Sequence, residues 1–202
     1  MNIKHLSFAA LLLGGTALII HSSCNQPPSN PVAAEVKKEP TSIEHGKFLV
    51  TIGGCNDCHS PKVMTDHGPV PDETKLLSGH PENSVLPSIN WNEAAPGKWY
   101  LLSSDMTAAV GPWGVSFAYN LTPDSATGIG AWTPDLFIQI MRTGMHMGMQ
   151  NGRPVLPPMP WQNLSQLSDQ DLTDMFAYLK SLPAVSNKVP EPLPPNHSNV
   201  KG

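Results

Sequence analysis

The sequence predicts a mainly α-helical domain interrupted by one long, loop-rich insertion. Apolar residues recur at helical spacing near residues 43–52, 134–143 and 169–182, and each stretch has capping residues at its ends. The 22 prolines and 16 glycines in 202 residues assign much of the remaining chain to loops. About seventy residues, from residue 60 to the start of the second stretch, show little helical periodicity.

Residues 1–23 carry one charged group, Lys4, before an apolar run from Phe8 to Ile20. That run suits a signal peptide and is short for a membrane span. It ends in His21-Ser22-Ser23-Cys24. Small residues before a lone cysteine resemble the lipobox of bacterial lipoproteins, with His21 where an aliphatic residue is usual. The resemblance implies a periplasmic lipoprotein anchored to the membrane through Cys24. Residues 24–40, rich in Pro, Ser, Asn, Glu and Lys, read as the lipid-anchor tether, reaching about 50 Å when extended.

The domain proper spans residues 41–183. Thr41-Ser42-Ile43-Glu44 reads as a capping box with Thr41 as the N-cap. The helix should run to Ile52 and stop at Gly53-Gly54. Ile43, Gly46 and Val50 share one stripe, and Gly46 would admit a second helix at close range. His45 is expected on the surface.

Directly after that helix stands Cys55-Asn56-Asp57-Cys58-His59, the attachment signature of c-type haem. Each thiol adds to one vinyl group of the porphyrin, and the following His59 can bind the iron as a neutral imidazole. A zinc half-site would need a second ligand pair, and no second C-x-x-C occurs. A redox dithiol would sit in a βαβ context that the sequence lacks. Cys55, Cys58 and His59 are therefore the expected cofactor-binding residues for one covalent haem c, with His59 as an iron ligand.

The insertion covers about residues 60–130. Trp99 to Leu102 and Val115 to Tyr119 are expected to pair as a small β-hairpin through Gly111-Pro112. Their aromatic residues, with Trp91 and Trp113, should bury against one haem edge. A second helix opens at Thr133-Pro134-Asp135, with a cap, proline at the first helical position, and an acid near the positive end. Leu136, Phe137, Ile140 and Met141 form its apolar side, and Gly144 closes it. The last helix starts at Ser168 with Asp171 three residues on, buries Leu172, Met175, Phe176 and Leu179, and ends before Pro183. Residues 184–202 are Pro-rich and read as a tail lying loosely on the surface or disordered.

Within Val155-Leu156-Pro157-Pro158-Met159-Pro160-Trp161, Met159 is held between prolines, which can present its thioether without a helix. A soft sulfur opposite histidine favours Fe(II) and raises the potential, so Met159 is the expected second iron ligand. Rival ligands are His67, His80 and the run Met145-His146-Met147-Gly148-Met149, whose thioethers also suit Cu(I). The bland reading of that run has Met141 in the helix core and the others as apolar filler lining the haem pocket. Arg142 and Arg153 are candidate partners for haem propionates, with Trp132 or Trp161 as further donors.

The order of helix, C-x-x-C-H, helix, Pro-Met-Pro and final helix resembles class I cytochromes c, in which a small residue at the crossing of first and last helices packs on an aromatic. Here that would be Gly46 against Tyr178 or Phe176. Asn120-Leu121-Thr122-Pro123-Asp124, Thr127 to Thr133, and Gly152-Arg153-Pro154 leading into Pro158-Met159-Pro160 are similar to the cytochrome c subunits of membrane-bound alcohol and sugar dehydrogenases. Those subunits typically carry three haem motifs and this chain has one. The resemblance implies a cytochrome c-like helical domain and an electron carrier that is not itself an enzyme. Its expected partners are redox proteins: a dehydrogenase, a quinol-oxidising complex or a terminal oxidase. With a formal charge of −4 and no basic stripe, nucleic acid is not among them. The alternatives are a haem-based redox or gas sensor and a haem peroxidase-like enzyme, both needing a labile sixth ligand.

Overall fold

The computed structural model describes residues 41–196. The signal-peptide, Cys24 and tether readings lie outside the described residues. In chain order the elements are α1 (Ile43–Ile52), α2 (Cys55–His59), β1 (Lys62–Thr65), β2 (Gly68–Pro71), β3 (Leu101–Leu102), β4 (Ala108–Gly111), β5 (Gly114–Phe117), α3 (Pro134–Thr143), α4 (Trp161–Leu164) and α5 (Asp169–Ser181). Helix, short 3-10 turns included, accounts for only 31% of the described residues, so the expected mainly α class holds for the core and not for the insertion.

Three helices build that core. Val50 of α1, Phe137, Ile140 and Met141 of α3, and Leu172, Met175, Phe176 and Leu179 of α5 are buried together with Leu77 and Ile129 of the insertion. Local chemistry sets the helix ends. Thr133 accepts from Leu136 N–H, Gly144 closes α3 in the left-handed conformation, and Ser168 with Asp171 forms a reciprocal capping box on α5. The N-cap of α1 is Ser42 and not Thr41: Ser42 Oγ accepts from His45 N–H. A tertiary contact selects it, because Ser42 N–H donates to the buried Asp174 carboxylate at 2.9 Å.

Gly46 does bring α1 onto α5, but its contact is backbone. A Cβ there would stand 1.9 Å from the Asp174 carbonyl oxygen, so the atoms nearest to it belong to the α5 backbone rather than to the ring of Tyr178 or Phe176. Ile43, expected on the same stripe, is 50% exposed. His45 keeps a surface position yet donates from Nδ1 to Asp174 at 3.0 Å.

The insertion holds two small antiparallel sheets, β1-β2 and β3-β4-β5. The two runs expected to pair, around β3 and β5, do share a sheet, but β4 lies between them. Leu101 opposes Val110, and Val110 opposes Val115. Ala94, Val110 and Val115 form a second small core with Leu86, Ile89, Trp91, Leu101 and Phe117 against it. Trp91 therefore buries within the insertion, while Trp99 and Tyr100 stay 68% and 64% exposed.

Residues 184–196 are no loose tail. Asn187 donates to the carbonyls of Ser78 and His80 and accepts from Glu82 N–H, and Leu193 pairs with Val115 in both directions. Val185 O accepts from buried Asn120 at 2.8 Å. The segment is a strap across the insertion.

Candidate functional site

The residues after the Gly53-Gly54 stop form the short helix α2, which carries Cys55, Cys58 and His59. Its C-terminal carbonyls would be unsatisfied, and Lys62 meets them: Nζ donates to Asn56 O and Asp57 O at 3.0 Å and to Ser60 O at 2.6 Å. Ser60 Oγ donates to Asn56 Oδ1 and accepts from Leu77 N–H, tying the turn to the insertion. Gly79 N–H donates to His59 O, while His80 N–H donates to Ala118 O. Gly79 has φ +81° and lies against residues 118–120 so closely that a Cβ would meet Ala118 O at 2.6 Å.

This lacing presents Tyr119 O to the His59 ring at 2.7 Å. A carbonyl only accepts, so His59 Nδ1 carries the proton and Nε2 is left with its lone pair. Burial lowers the His59 pKa, only partly offset by that hydrogen bond, and so favours the neutral imidazole that coordinates metal. Burial also pushes the Cys55 thiol up to about 11 and raises that of Cys58, so both remain thiols at neutral pH.

Cys55, Cys58 and His59 open onto a cavity of about 490 Å3, within the usual range of cofactor sites. Phe137, Ile140 and Met141 of α3 and Met175 and Leu179 of α5 contribute to one part of its wall, and Ala108, Ala109 and Phe117 of the sheet to another. Met159 and Pro157 to Pro160 line it too, so the fold brings all four expected cofactor residues to one cavity. An apolar, porphyrin-sized space with two thiols and a bare imidazole nitrogen fits a haem.

Of the candidate propionate partners, Arg153 and Trp132 line the cavity. Arg142 is committed elsewhere, donating to Leu167 O and Asp169 Oδ1 at 2.6 Å and also to Ser165 O. Trp161 packs on Gly144 instead. Of the rival ligands, His67 is exposed at the β1-β2 turn. His80 is 1% exposed, donating from Nδ1 to Thr107 Oγ1, which itself donates to Asp105. His146 lines the cavity, but Met145, Met147 and Met149 are not among its lining residues, contrary to their reading as pocket filler. Among the described residues no group of three His, Cys, Asp or Glu converges to hold a metal ion. Sequence reasoning missed Lys62, Ser60 and Tyr119; only the position of Lys62 just after α2 gave a signal, as a cation at a helix C-terminus.

The family model of cytochrome c matches residues 43–183, which hold α1 through α5 and every cavity element except the strap. The chain belongs to the cytochrome c family. Its cofactor is therefore covalent haem c, and C-x-x-C-H stands where this family attaches it. Like other cytochromes c it transfers electrons through that haem and is not itself a catalyst.

Its relatives include the gluconate 2-dehydrogenase cytochrome c subunit of Pantoea cypripedii, 26% identical over 67% of this chain and 22% of the relative. The fructose dehydrogenase cytochrome subunit of Gluconobacter japonicus is 26% identical over 91% of this chain and 29% of the relative. The cytochrome c subunit of alcohol dehydrogenase (quinone) from Gluconobacter oxydans is 34% identical over 40% of this chain and 17% of the relative. This cytochrome c thus spans less than a third of the length of these curated relatives. No helix among the described residues is long and apolar enough to cross a membrane.

Proposed function

We propose that this cytochrome c is an exported, lipid-anchored carrier whose haem iron is ligated by His59 and Met159 and which accepts single electrons from a dehydrogenase. One observation carries the reading: a histidine with Nδ1 committed to a carbonyl and Nε2 bare lines the same cavity as a methionine fixed among prolines. Two protein ligands would leave no open iron position for peroxide or a gas, which separates a carrier from an enzyme or sensor. The names of the relatives, cytochrome subunits of gluconate, fructose and alcohol dehydrogenases, support a dehydrogenase as the donor.

In the holoprotein, Met159→Ala removes the Met–Fe(III) charge-transfer band and lowers the potential, and wild-type ferrous protein resists CO. A band that survives the substitution transfers the ligand to another methionine. Anchoring is tested separately: Cys24→Ser should move the protein from membranes to the soluble fraction, and a mutant that stays membrane-bound removes the lipid anchor from the proposal.

A further inference from the structure

Beside the main cavity lies a recess of about 40 Å3, large enough for two or three waters. Phe117, Tyr119, His146, Arg153 and Pro192 line both spaces, so the recess is a side branch of the haem cavity. The strap closes it with Val189, Pro190 and Glu191. The charged and titratable groups that face His146 here are Arg153, Glu191 and Tyr119. The Tyr119 ring meets the imidazole edge-on at 6.4 Å. From α3, which packs against the turn that carries His146, the uncharged Gln139 donates to Gly148 O two residues beyond it.

We propose that this cytochrome c couples electron uptake to proton uptake, with His146 as the proton acceptor and the recess as its water-filled route to solvent. The proposal rests on haem occupying the main cavity. A haem held in the main cavity would carry one unit less positive charge once reduced. In a low-dielectric wall that change makes a second positive charge nearby less costly. One electron enters from the redox partner, one proton enters from solvent, and the only bond formed is N–H on the imidazole. Burial, then Arg153, disfavours the imidazolium, while Glu191 favours it, and the balance lies below the ordinary histidine value. That direction favours the neutral imidazole, the form a proton acceptor must take. The other groups on the wall are less suited. His59 is tied to Tyr119 O, burial pushes the Tyr119 phenol up, and arginine does not give up its proton.

The sign follows from linkage. The reduced protein binds the proton more tightly, so the potential falls as pH rises between the oxidised-state and reduced-state pKa values of His146. Its slope approaches a tenfold change in the redox equilibrium per pH unit, 59 mV for one electron. The test is spectroelectrochemical titration of the purified holoprotein from pH 4.5 to 8.5, as wild type, His146→Gln and Glu191→Gln. Wild type should show the falling segment, His146→Gln should be flat over it, and Glu191→Gln should move it to lower pH. Proton release to a weakly buffered indicator on oxidation should disappear in His146→Gln. A flat wild-type curve, or a segment unchanged in His146→Gln because the haem carboxylates carry it, overturns the coupling. If His146→Gln fails to hold haem, the Glu191→Gln titration decides, and an unmoved segment overturns it. A protein with no reversible one-electron couple would instead sink the carrier reading itself.

Discussion

Gly46 and Asp174 meet backbone to backbone, with space for a hydrogen and none for a methyl: a Cβ at 46 would stand 1.9 Å from the Asp174 carbonyl oxygen. Neither atom can swing aside, since both belong to helices whose contact is the most extensive between elements of the fold. Gly46→Ala should therefore cost about 3 kcal/mol, the upper part of the overpacking range, and lower the holoprotein Tm by roughly 10 °C. Denaturant unfolding measures it; a loss under about 1 kcal/mol would mean the helices separate more readily than this contact implies.

Asp174 makes the same crossing sensitive to acid. Burial alone would raise its pKa, but hydrogen bonds from His45, Ser42 N–H and Gln170 outweigh burial and hold the carboxyl below the ordinary range. A folded-state value below the unfolded one gives stability that is present above about pH 4 and lost as pH falls through the folded value. Asp174→Asn should be less stable at neutral pH and show a shallower decline below pH 4. Parallel wild-type and mutant declines would assign the acid sensitivity to other carboxylates.

Lys62→Met keeps the length of the side chain and removes the ammonium that serves three carbonyls at the end of α2. The expected cost is about 2 kcal/mol, since hydrogen bonds to a charged group contribute more than neutral ones. Because those carbonyls flank Cys58 and His59, the visible spectrum should broaden as ligand geometry loosens. An unchanged Tm and spectrum would reduce Lys62 to a surface cation.

Asn187→Ala removes three hydrogen bonds between the strap and residues 78–82. It should cost about 2 kcal/mol and open residues 184–196 to limited proteolysis, with the haem domain itself remaining protected. Cleavage at the wild-type rate would show that the Leu193–Val115 pairing and the bonds of Val185 to Asn120 and Thr122 suffice to hold the segment.

The parts legible in the sequence are those whose signal is local. Thr133-Pro134, Ser168 with Asp171, and Gly53-Gly54 mark helix ends through contacts within four residues, and C-x-x-C-H encodes its chemistry in its spacing. The missed parts depend on distant partners. β4 reads Ala-Ala-Val-Gly and is buried at all four positions, so it has no polar–apolar alternation to detect. Tyr119 orients His59 through its carbonyl, which every residue type possesses. Thr41 and Ser42 are both competent caps, and Asp174, far along the chain, chooses between them. The strap has the composition of a free tail, yet the amide of Asn187 and the backbone of Leu193 find partners that composition does not encode.

The strap also sets an order of assembly. Pro192 belongs to the cavity wall and Leu193 is hydrogen-bonded to β5, so these residues bar that side once in place. They are also the last described stretch of the chain to be synthesised. A porphyrin delivered before they settle meets an open cleft, and one delivered afterwards must first pry the latch from β5. Maturation should accordingly favour chains whose strap has not yet docked over finished apoprotein.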